Sequence, residues 1–198
     1  MKLAMAVVAL VALSVAPLMA GQNENCKAFM DVAGATDNAG VVTRIDPDAF
    51  SLFSVYLGLT DCGSGAGEGV KSVSFALTYP PGMASTAIYE NLLPGGLAIG
   101  DWETGVTLAG SGCLEGPFLI FGVARYIYTG VPGTIVWTGH PQFPRRVEDC
   151  SEPTTQTDFF CVWTNCGVGQ DAPAGEAGCT PNTPVEQSSW GAIKALYR

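Results

Sequence analysis

The 198-residue sequence predicts an all-β protein, built as an antiparallel β-sandwich of about nine strands. Short runs rich in β-branched and aromatic residues recur along the chain, and helical spacing is almost absent before the C-terminus. The 25 glycines and 13 prolines lie mostly between these runs, where both residue types favour turns. Hydrophobic residues make up 47% of the chain, which is enough to fill the core of one domain.

Nine runs have the length and composition of β-strands. They span residues 27–32, 41–45, 50–59, 70–79, 86–92, 106–108, 118–129, 134–138 and 159–164. Many short strands at this spacing, separated by turn residues, are typical of a sandwich or a barrel, and we expect a jelly-roll-like sandwich. The run 118–129 is apolar on both faces at first, so we expect it to be a central strand.

Alternation within these runs indicates which face is buried. In the run 70–79, Val73, Phe75 and Leu77 share one face, and the intervening small polar residues lie on the other. We therefore expect one buried face and one solvated face. Eight side chains from the strongest runs form the predicted core: Phe53, Val55, Leu57, Phe75, Leu77, Leu119, Phe121 and Val123.

The N-terminal segment 1–20 reads as a secretory signal peptide. Lys2 supplies a positive charge, residues 3–19 are apolar, and Ala20 and Gly21 form a small-residue cleavage site. The alternative is a membrane anchor, although the apolar stretch is short for a span and Pro17 interrupts it. We expect a secreted or cell-surface protein, extracellular or periplasmic, with no membrane span after cleavage.

The remaining chain divides by composition into three parts. Residues 21–166 form the predicted β-sandwich domain, and 167–187 form a Gly/Pro-rich loop and linker. Residues 188–198 form a short C-terminal tail, in which Trp190, Ile193 and Leu196 follow helical spacing. We expect this tail to be helical.

All seven cysteines lie after the signal peptide, and an exported chain meets an oxidising compartment. We expect disulfides, with six candidates: Cys62, Cys113, Cys150, Cys161, Cys166 and Cys179. An odd number allows at most three bridges within one chain and leaves one thiol free or paired between molecules. A zinc site among the last four cysteines is the alternative, but their spacing lacks the two close pairs typical of structural zinc.

The connectivity cannot be derived from the sequence. Cys62 and Cys113 both lie in Gly-rich turns beside predicted strands. We predict that these two cysteines pair with each other.

No catalytic signature is present in the sequence. The single histidine, His140, lies between Gly139 and Pro141 in a predicted loop, and no G-x-S-x-G motif occurs. Three pairs of neighbouring carboxylates occur, Asp46/Asp48, Asp101/Glu103 and Glu148/Asp149. Their separation in space, which glycoside hydrolysis would require, is not visible in the sequence. The first pair also allows a calcium site, but no EF-hand-like run accompanies it. We expect no enzyme activity, no cofactor and no bound metal.

The net charge and the aromatic residues of the chain bear on whether it binds nucleic acid or carbohydrate. Nine basic and 18 acidic residues give a net charge of −9, which argues against a nucleic-acid partner. Tyr126 and Tyr128 lie on one face of the central strand, and Trp102 lies in a loop between two acidic residues. Sugar rings stack on such side chains, so these three are the candidate ligand-binding residues. The alternative is that they fill the core.

The order of the core segments resembles the cohesin-like β-sandwiches, which are related in shape to some carbohydrate-binding modules. Residues 69–79 fit that family's pattern G-V-x-x-x-x-F-x-L-x-Y, and the resemblance also covers 50–59 and 118–138. Pro80 stands where the family often has aspartate, and the cysteines are atypical, so a dockerin partner is not implied. The tail W-G-x-I-K-x-L-Y-R is similar to the ends of secreted bacterial proteins. That similarity implies a sorting signal, whereas a terminal helix packed on the sandwich is the alternative.

These observations predict an exported, non-catalytic β-sandwich with a structural or adhesive role. A carbohydrate-binding module is the alternative, and a secreted hydrolase ranks third. The expected partner is accordingly a polysaccharide or another surface protein.

Overall fold

The computed structural model describes residues 23, 25–62, 69–81, 83, 88–159 and 161–181. Within this part the chain forms thirteen β-strands and one 3₁₀ turn, Asn38–Gly40. The strands are β1 (Lys27–Asp31), β2 (Arg44–Ile45), β3 (Leu52–Thr60), β4 (Val70–Thr78), β5 (Ile88–Asn91), β6 (Leu97–Asp101), β7 (Gly105–Leu114), β8 (Phe118–Ile127), β9 (Gly133–Thr138), β10 (Arg146–Glu148), β11 (Gln156–Asp158), β12 (Cys161–Val162) and β13 (Cys166–Val168). The predicted signal peptide and C-terminal tail lie outside the described residues.

The first sheet has the strand order β12-β1-β3-β8-β5. Its centre is the antiparallel pair β3 and β8, in which Val55 lies opposite Ala124. The register shifts after Leu57, at Gly58, where a Cβ atom would overlap the Phe29 ring and the Leu119 carbonyl oxygen. Only glycine therefore fits at this irregularity.

The second sheet is organised around β4. Strand β7 pairs with one side of β4, and β10 and β9 pair in turn along its other side. Strands β11, β13 and β2 extend the sheet outward, and β6 pairs with β7 alone in the described part of the chain. Strand β6 is therefore an edge strand.

The inner faces of the two sheets pack on one another and enclose a single apolar core. All eight predicted core side chains are buried, as predicted, and seven of them belong to this core; Val123 is buried on the opposite face of β8, in the row of Tyr56 and Glu90. Phe75 lies at the centre, with its ring 4.9 Å from the Trp137 ring, 5.1 Å from Trp102 and 5.7 Å from Phe121. No helix in the described residues is long and apolar enough to cross a membrane.

The predicted all-β class is confirmed, but the count of about nine strands and the purely antiparallel sheets are wrong. Strands β12 and β13 pair in parallel with β1 and β2. Strands β6, β10, β11 and β13 were not predicted from the sequence. Three of these have only three residues, too few to show an alternation, so their pairing depends on tertiary contacts. Strand β13 also crosses the predicted domain boundary at residue 166.

The outer face of β4 is not solvated as the alternation predicted. Ser72 is 6% exposed and Ser74 is 2% exposed. The Ser72 hydroxyl donates to the Glu148 carboxylate, and the Ser74 hydroxyl shares a hydrogen bond with the Thr107 hydroxyl. These partners satisfy both hydroxyls, which makes their burial possible.

Candidate functional site

Three disulfides link the described cysteines: Cys26–Cys62, Cys113–Cys150 and Cys161–Cys179, with Cα–Cα distances of 4.4, 5.9 and 5.9 Å. The predicted Cys62–Cys113 pair is therefore wrong. Strand β1 pairs with β3 so that Lys27 lies opposite Thr60, which brings the neighbouring Cys26 beside Cys62. This first bridge closes the end of the β1–β3 pair.

The second disulfide crosses the start of β4. Cys113 on β7 and Cys150 after β10 flank this strand from opposite sides. A Cβ atom at Gly69 would lie 2.9 Å from the Cys113 sulfur and 3.1 Å from the Cys150 sulfur. The missing side chain at Gly69 leaves the space through which the bridge passes.

The remaining cysteine, Cys166, is a free thiol and not a disulfide partner, which corrects its place among the candidates. It is fully buried, and burial raises the pKa of the thiol to about 12, with a further contribution from the nearby Asp31 carboxylate. At neutral pH the thiol therefore stays protonated and is not a nucleophile. Its burial also keeps it from bridging to a second molecule.

The three aromatic residues predicted to contact a ligand are all buried. Tyr126 is 0% exposed, Trp102 is 4% exposed and Tyr128 is 7% exposed. Tyr126 lies opposite Phe53 in the β3–β8 register, and that row of side chains faces the core. Tyr126 and Tyr128 do not form an exposed platform for a sugar ring, because β8 turns this face toward the second sheet.

Trp102 closes the space between the two sheets beside the edge strands. Its ring stacks on Tyr89 at 4.5 Å and packs edge-on against Phe75. Gly122 makes room for the indole, because a Cβ atom at Gly122 would lie 3.0 Å from Trp102 Cη2. The structure therefore supports the alternative, in which Trp102 fills the core.

Three tyrosine hydroxyls gather beside Trp102. The Tyr79 and Tyr89 hydroxyl oxygens are 2.8 Å apart, and the Tyr79 hydroxyl also hydrogen-bonds the Glu103 carboxylate. The Tyr126 hydroxyl is buried near Tyr89 and makes no hydrogen bond of standard geometry. Burial is the main cause that raises the pKa of all three tyrosines, so none of them supplies a base at neutral pH.

A small pocket of about 270 Å³ opens beside these hydroxyls. Among the described residues it is lined by Leu77, Thr78, Tyr79, Glu103 and Thr104. Of these described residues only Glu103 is charged, and its carboxylate accepts a hydrogen bond from Tyr79. The described lining therefore presents one carboxylate and not the pair that glycoside hydrolysis would use.

The raised tyrosine pKa values predict alkaline instability. The unfolded chain ionises its tyrosines near pH 10, whereas the folded chain keeps Tyr79, Tyr89 and Tyr126 protonated to higher pH. Their contribution to stability is therefore complete below about pH 10 and is lost as the pH rises above that value.

A spectroscopic titration checks this prediction. The phenolate absorbance of the native protein should show a group of tyrosines that ionise only on unfolding, and Tyr126→Phe should remove one of them. The same variant should leave stability at neutral pH within about 1 kcal/mol, because the lost hydroxyl makes no hydrogen bond of standard geometry. Ionisation of every tyrosine near pH 10 in the folded protein would contradict the account.

The residues considered for catalysis have structural roles. His140 accepts hydrogen bonds at Nδ1 from the backbone N–H groups of Gln142 and Phe143, and so closes a turn. Asp101 likewise accepts from the N–H groups of Glu103 and Thr104.

In each of the other two pairs, at least one carboxylate also has a structural partner. Asp46 binds Arg44, and the buried Asp149 holds the loop that contains Ser151 and Thr155. In the described part of the chain, no three His, Cys, Asp or Glu side chains are grouped as a metal site would need.

Two exposed sheet surfaces remain as candidate interaction sites. The first, which we call the β6 surface, is carried by β6, whose five residues are all exposed. Leu97 and Ile99 are 58% and 59% exposed and share a face with Ala109 and Thr107 of β7. Asp101 and the nearby Glu103 place negative charge beside these aliphatic side chains. The L-A-I alternation in the sequence indicates this strand, but it covers too few residues to predict the strand.

The second surface is the outer face of β3, β8 and β5, which we call the β3–β8–β5 face. The strand register places Leu52 beside Ile127 in one row, followed by a row that joins Ser54, Arg125 and Ile88. The next row joins Tyr56, Val123 and Glu90. Apolar side chains thus surround one arginine and one glutamate.

Comparison with known proteins bears on the fold. No family model and no curated protein matches the chain. Among solved structures it is similar to a cohesin module of a family 33 glycoside hydrolase from Clostridium perfringens, with 9% identity and a TM-score of 0.48, over 75% of this chain and 99% of that one. It is also similar to a non-cellulosomal cohesin from Archaeoglobus fulgidus, with 12% identity and a TM-score of 0.44, over 73% of this chain and 89% of that one.

Both of these structures are cohesin modules, the group that residues 50–59, 69–79 and 118–138 resemble in sequence. With TM-scores below 0.5, the likeness extends no further than this similarity. It assigns neither partner nor activity to this chain.

Proposed function

We propose that this chain is an exported, non-catalytic protein with a structural or adhesive role at the cell surface or in the extracellular space. The observation that carries this proposal is the set of three disulfides with one buried thiol left over. Such a set persists in an oxidising compartment and is rare in the cytosol. The predicted signal peptide agrees with that location.

The β6 surface supports an adhesive role. Strand β6 presents an open edge and two aliphatic side chains, Leu97 and Ile99, at which another protein can add contacts. Asp101 and Glu103 lie beside them, and the whole chain carries a net charge of −9. The partner that fits is a surface protein whose apolar contact residues are flanked by lysine or arginine.

The carbohydrate-binding alternative has lost the observation that motivated it. Tyr126, Tyr128 and Trp102 are buried, and a sugar ring stacks only on an aromatic face that it can reach. No other exposed row of aromatic side chains occurs in the described residues.

Binding to intact cells tests the proposal. Labelled protein 21–198 is added to cells that carry the gene, before and after their surface is treated with protease or with glycosidases. We expect saturable binding that protease abolishes and glycosidases leave unchanged. The variant Leu97→Asp/Ile99→Asp should weaken this binding at least about tenfold, because it adds two charges to the apolar contact.

The matched control is Leu52→Asp/Ile88→Asp, which adds the same two charges to side chains of similar exposure on the other sheet. This control should bind cells like the unchanged protein. Binding that glycosidases alone abolish would overturn the adhesive role in favour of a polysaccharide. Equal binding by all variants would overturn the assignment of the β6 surface.

A further inference from the structure

We propose that the β3–β8–β5 face is a self-association surface, through which two copies of this chain pack face to face about a twofold axis. This inference goes beyond the proposed function and does not rest on it, since it concerns the opposite sheet. Three features of the face support this inference: its exposure, its charge and the conformation of Phe50 at its end.

The face is apolar at its rim and along its first row. Leu52 is 58% exposed and Ile88 is 55% exposed, and Ile127 lies half-buried beside Leu52. Val131, which is 59% exposed, follows β8 at the same end of the sheet. Exposed aliphatic side chains grouped on one sheet face are typical of surfaces that contact another protein.

The centre of the face carries one ion pair, and this pair fits a twofold contact. Arg125 Nη2 lies 2.8 Å from Glu90 Oε2, and both side chains remain partly exposed. When two copies meet about a twofold axis, Arg125 of each copy approaches Glu90 of the other. The contact is isologous, because one patch supplies both members of each pair.

Charge favours a second copy over an oppositely charged partner at this face. The chain has a net charge of −9, so two copies repel one another over most of their surface. On the β3–β8–β5 face the arginine and the glutamate cancel. Two acidic copies can therefore meet here without placing like charges together, which is not true of the β6 surface with Asp101 and Glu103.

Phe50 adds a third observation at the end of the face. It is the most exposed large apolar side chain among the described residues, at 79%, and it precedes Leu52 in the chain. Its φ angle is +64°, a region that favours glycine, so the backbone holds this side chain outward at a cost in strain. Contact with a second copy would bury the ring and offset that cost.

Sedimentation equilibrium of protein 21–198 tests the inference. Because the exposed aliphatic side chains are confined to one end and the rim of this face, the contact area is small, and we expect a weak dimer with a dissociation constant between about 10 µM and 1 mM. Leu52→Asp/Ile88→Asp should weaken dimerisation at least about tenfold, whereas Leu97→Asp/Ile99→Asp, with the same added charge, should leave it unchanged. Circular dichroism of both variants checks that each is folded.

A charge exchange tests the twofold geometry. Arg125→Glu and Glu90→Arg should each weaken self-association, because each places like charges opposite one another. An equal mixture of the two variants should form mixed dimers at least about tenfold more tightly than either alone. A protein that stays monomeric to about 1 mM, or a mixture no tighter than its components, would overturn the inference. The cell-binding result for the β6 surface is independent of either outcome.

Discussion

Replacement of Phe75 by alanine is expected to lower the free energy of unfolding by about 4 kcal/mol. Phe75 is fully buried, and its ring contacts the rings of Trp102, Phe121 and Trp137 from both sheets. Alanine would remove these contacts and leave a cavity that the surrounding strands cannot close. Urea unfolding followed by tryptophan fluorescence measures the change, at protein concentrations below the range of self-association.

Phe50→Ala is the matched control for this prediction. It removes the same side chain from a position that is 79% exposed, and alanine meets the same backbone strain there. We expect a change within about 0.5 kcal/mol. Similar losses for the two variants would show that Phe75 does not lie at the centre of a packed core.

The second large effect is expected for Cys26→Ser/Cys62→Ser, which should lower the free energy of unfolding by about 4 kcal/mol. The bridge closes a loop with a sequence separation of 36, and the entropy of closing such a loop in the unfolded chain sets this magnitude. The adjacent residues Lys27 and Asp61 form an ion pair of 2.6 Å with little exposure, so loss of the bridge also loosens this pair. Thermal and urea unfolding without reductant measure the change.

The variant Cys62→Ser/Cys113→Ser separates the observed connectivity from the pairing that the sequence suggested. In the structure these residues belong to different bridges, so the variant leaves Cys26 and Cys150 without their partners. We expect a larger loss of stability than for Cys26→Ser/Cys62→Ser, together with additional thiols that react with a maleimide. If Cys62→Ser/Cys113→Ser lost only one bridge, as Cys26→Ser/Cys62→Ser does, the observed connectivity would be wrong.

The long strands and the core could be predicted from the sequence because each depends on a local pattern. Strand β4 shows a period of two over nine residues, and its inward side chains are the ones the pattern indicated. The burial of Leu119 and Phe121 on β8 followed from the same argument. The seven cysteines allowed at most three intrachain disulfides and one remaining thiol, and the structure has this arrangement.

What the sequence could not predict depends on contacts between distant segments. Strand β12 pairs with β1 in parallel across more than 130 residues, and two residues carry no detectable period. The strand register determines which cysteines lie close enough to form a disulfide. It places Cys26, and not Cys113, beside Cys62.

The candidate site was mispredicted for a related reason. Tyr126 and Tyr128 do share a face, as the alternation indicated, but alternation alone does not say which face turns toward the second sheet. The exposed aliphatic side chains of β5 and β6 are visible in the sequence, but no local pattern marked them as a contact surface. Their exposure follows from the position of both strands at sheet edges.

The most direct test of the central claim is a disulfide map of the protein recovered from outside the cytoplasm of cells that express the full chain. Non-reducing peptide mass spectrometry should find the Cys26–Cys62, Cys113–Cys150 and Cys161–Cys179 bridges, with Cys166 as a thiol that reacts only after unfolding. Retention of the protein in the cytoplasm with reduced cysteines, or a different set of bridges, would contradict an exported, disulfide-stabilised β-sandwich.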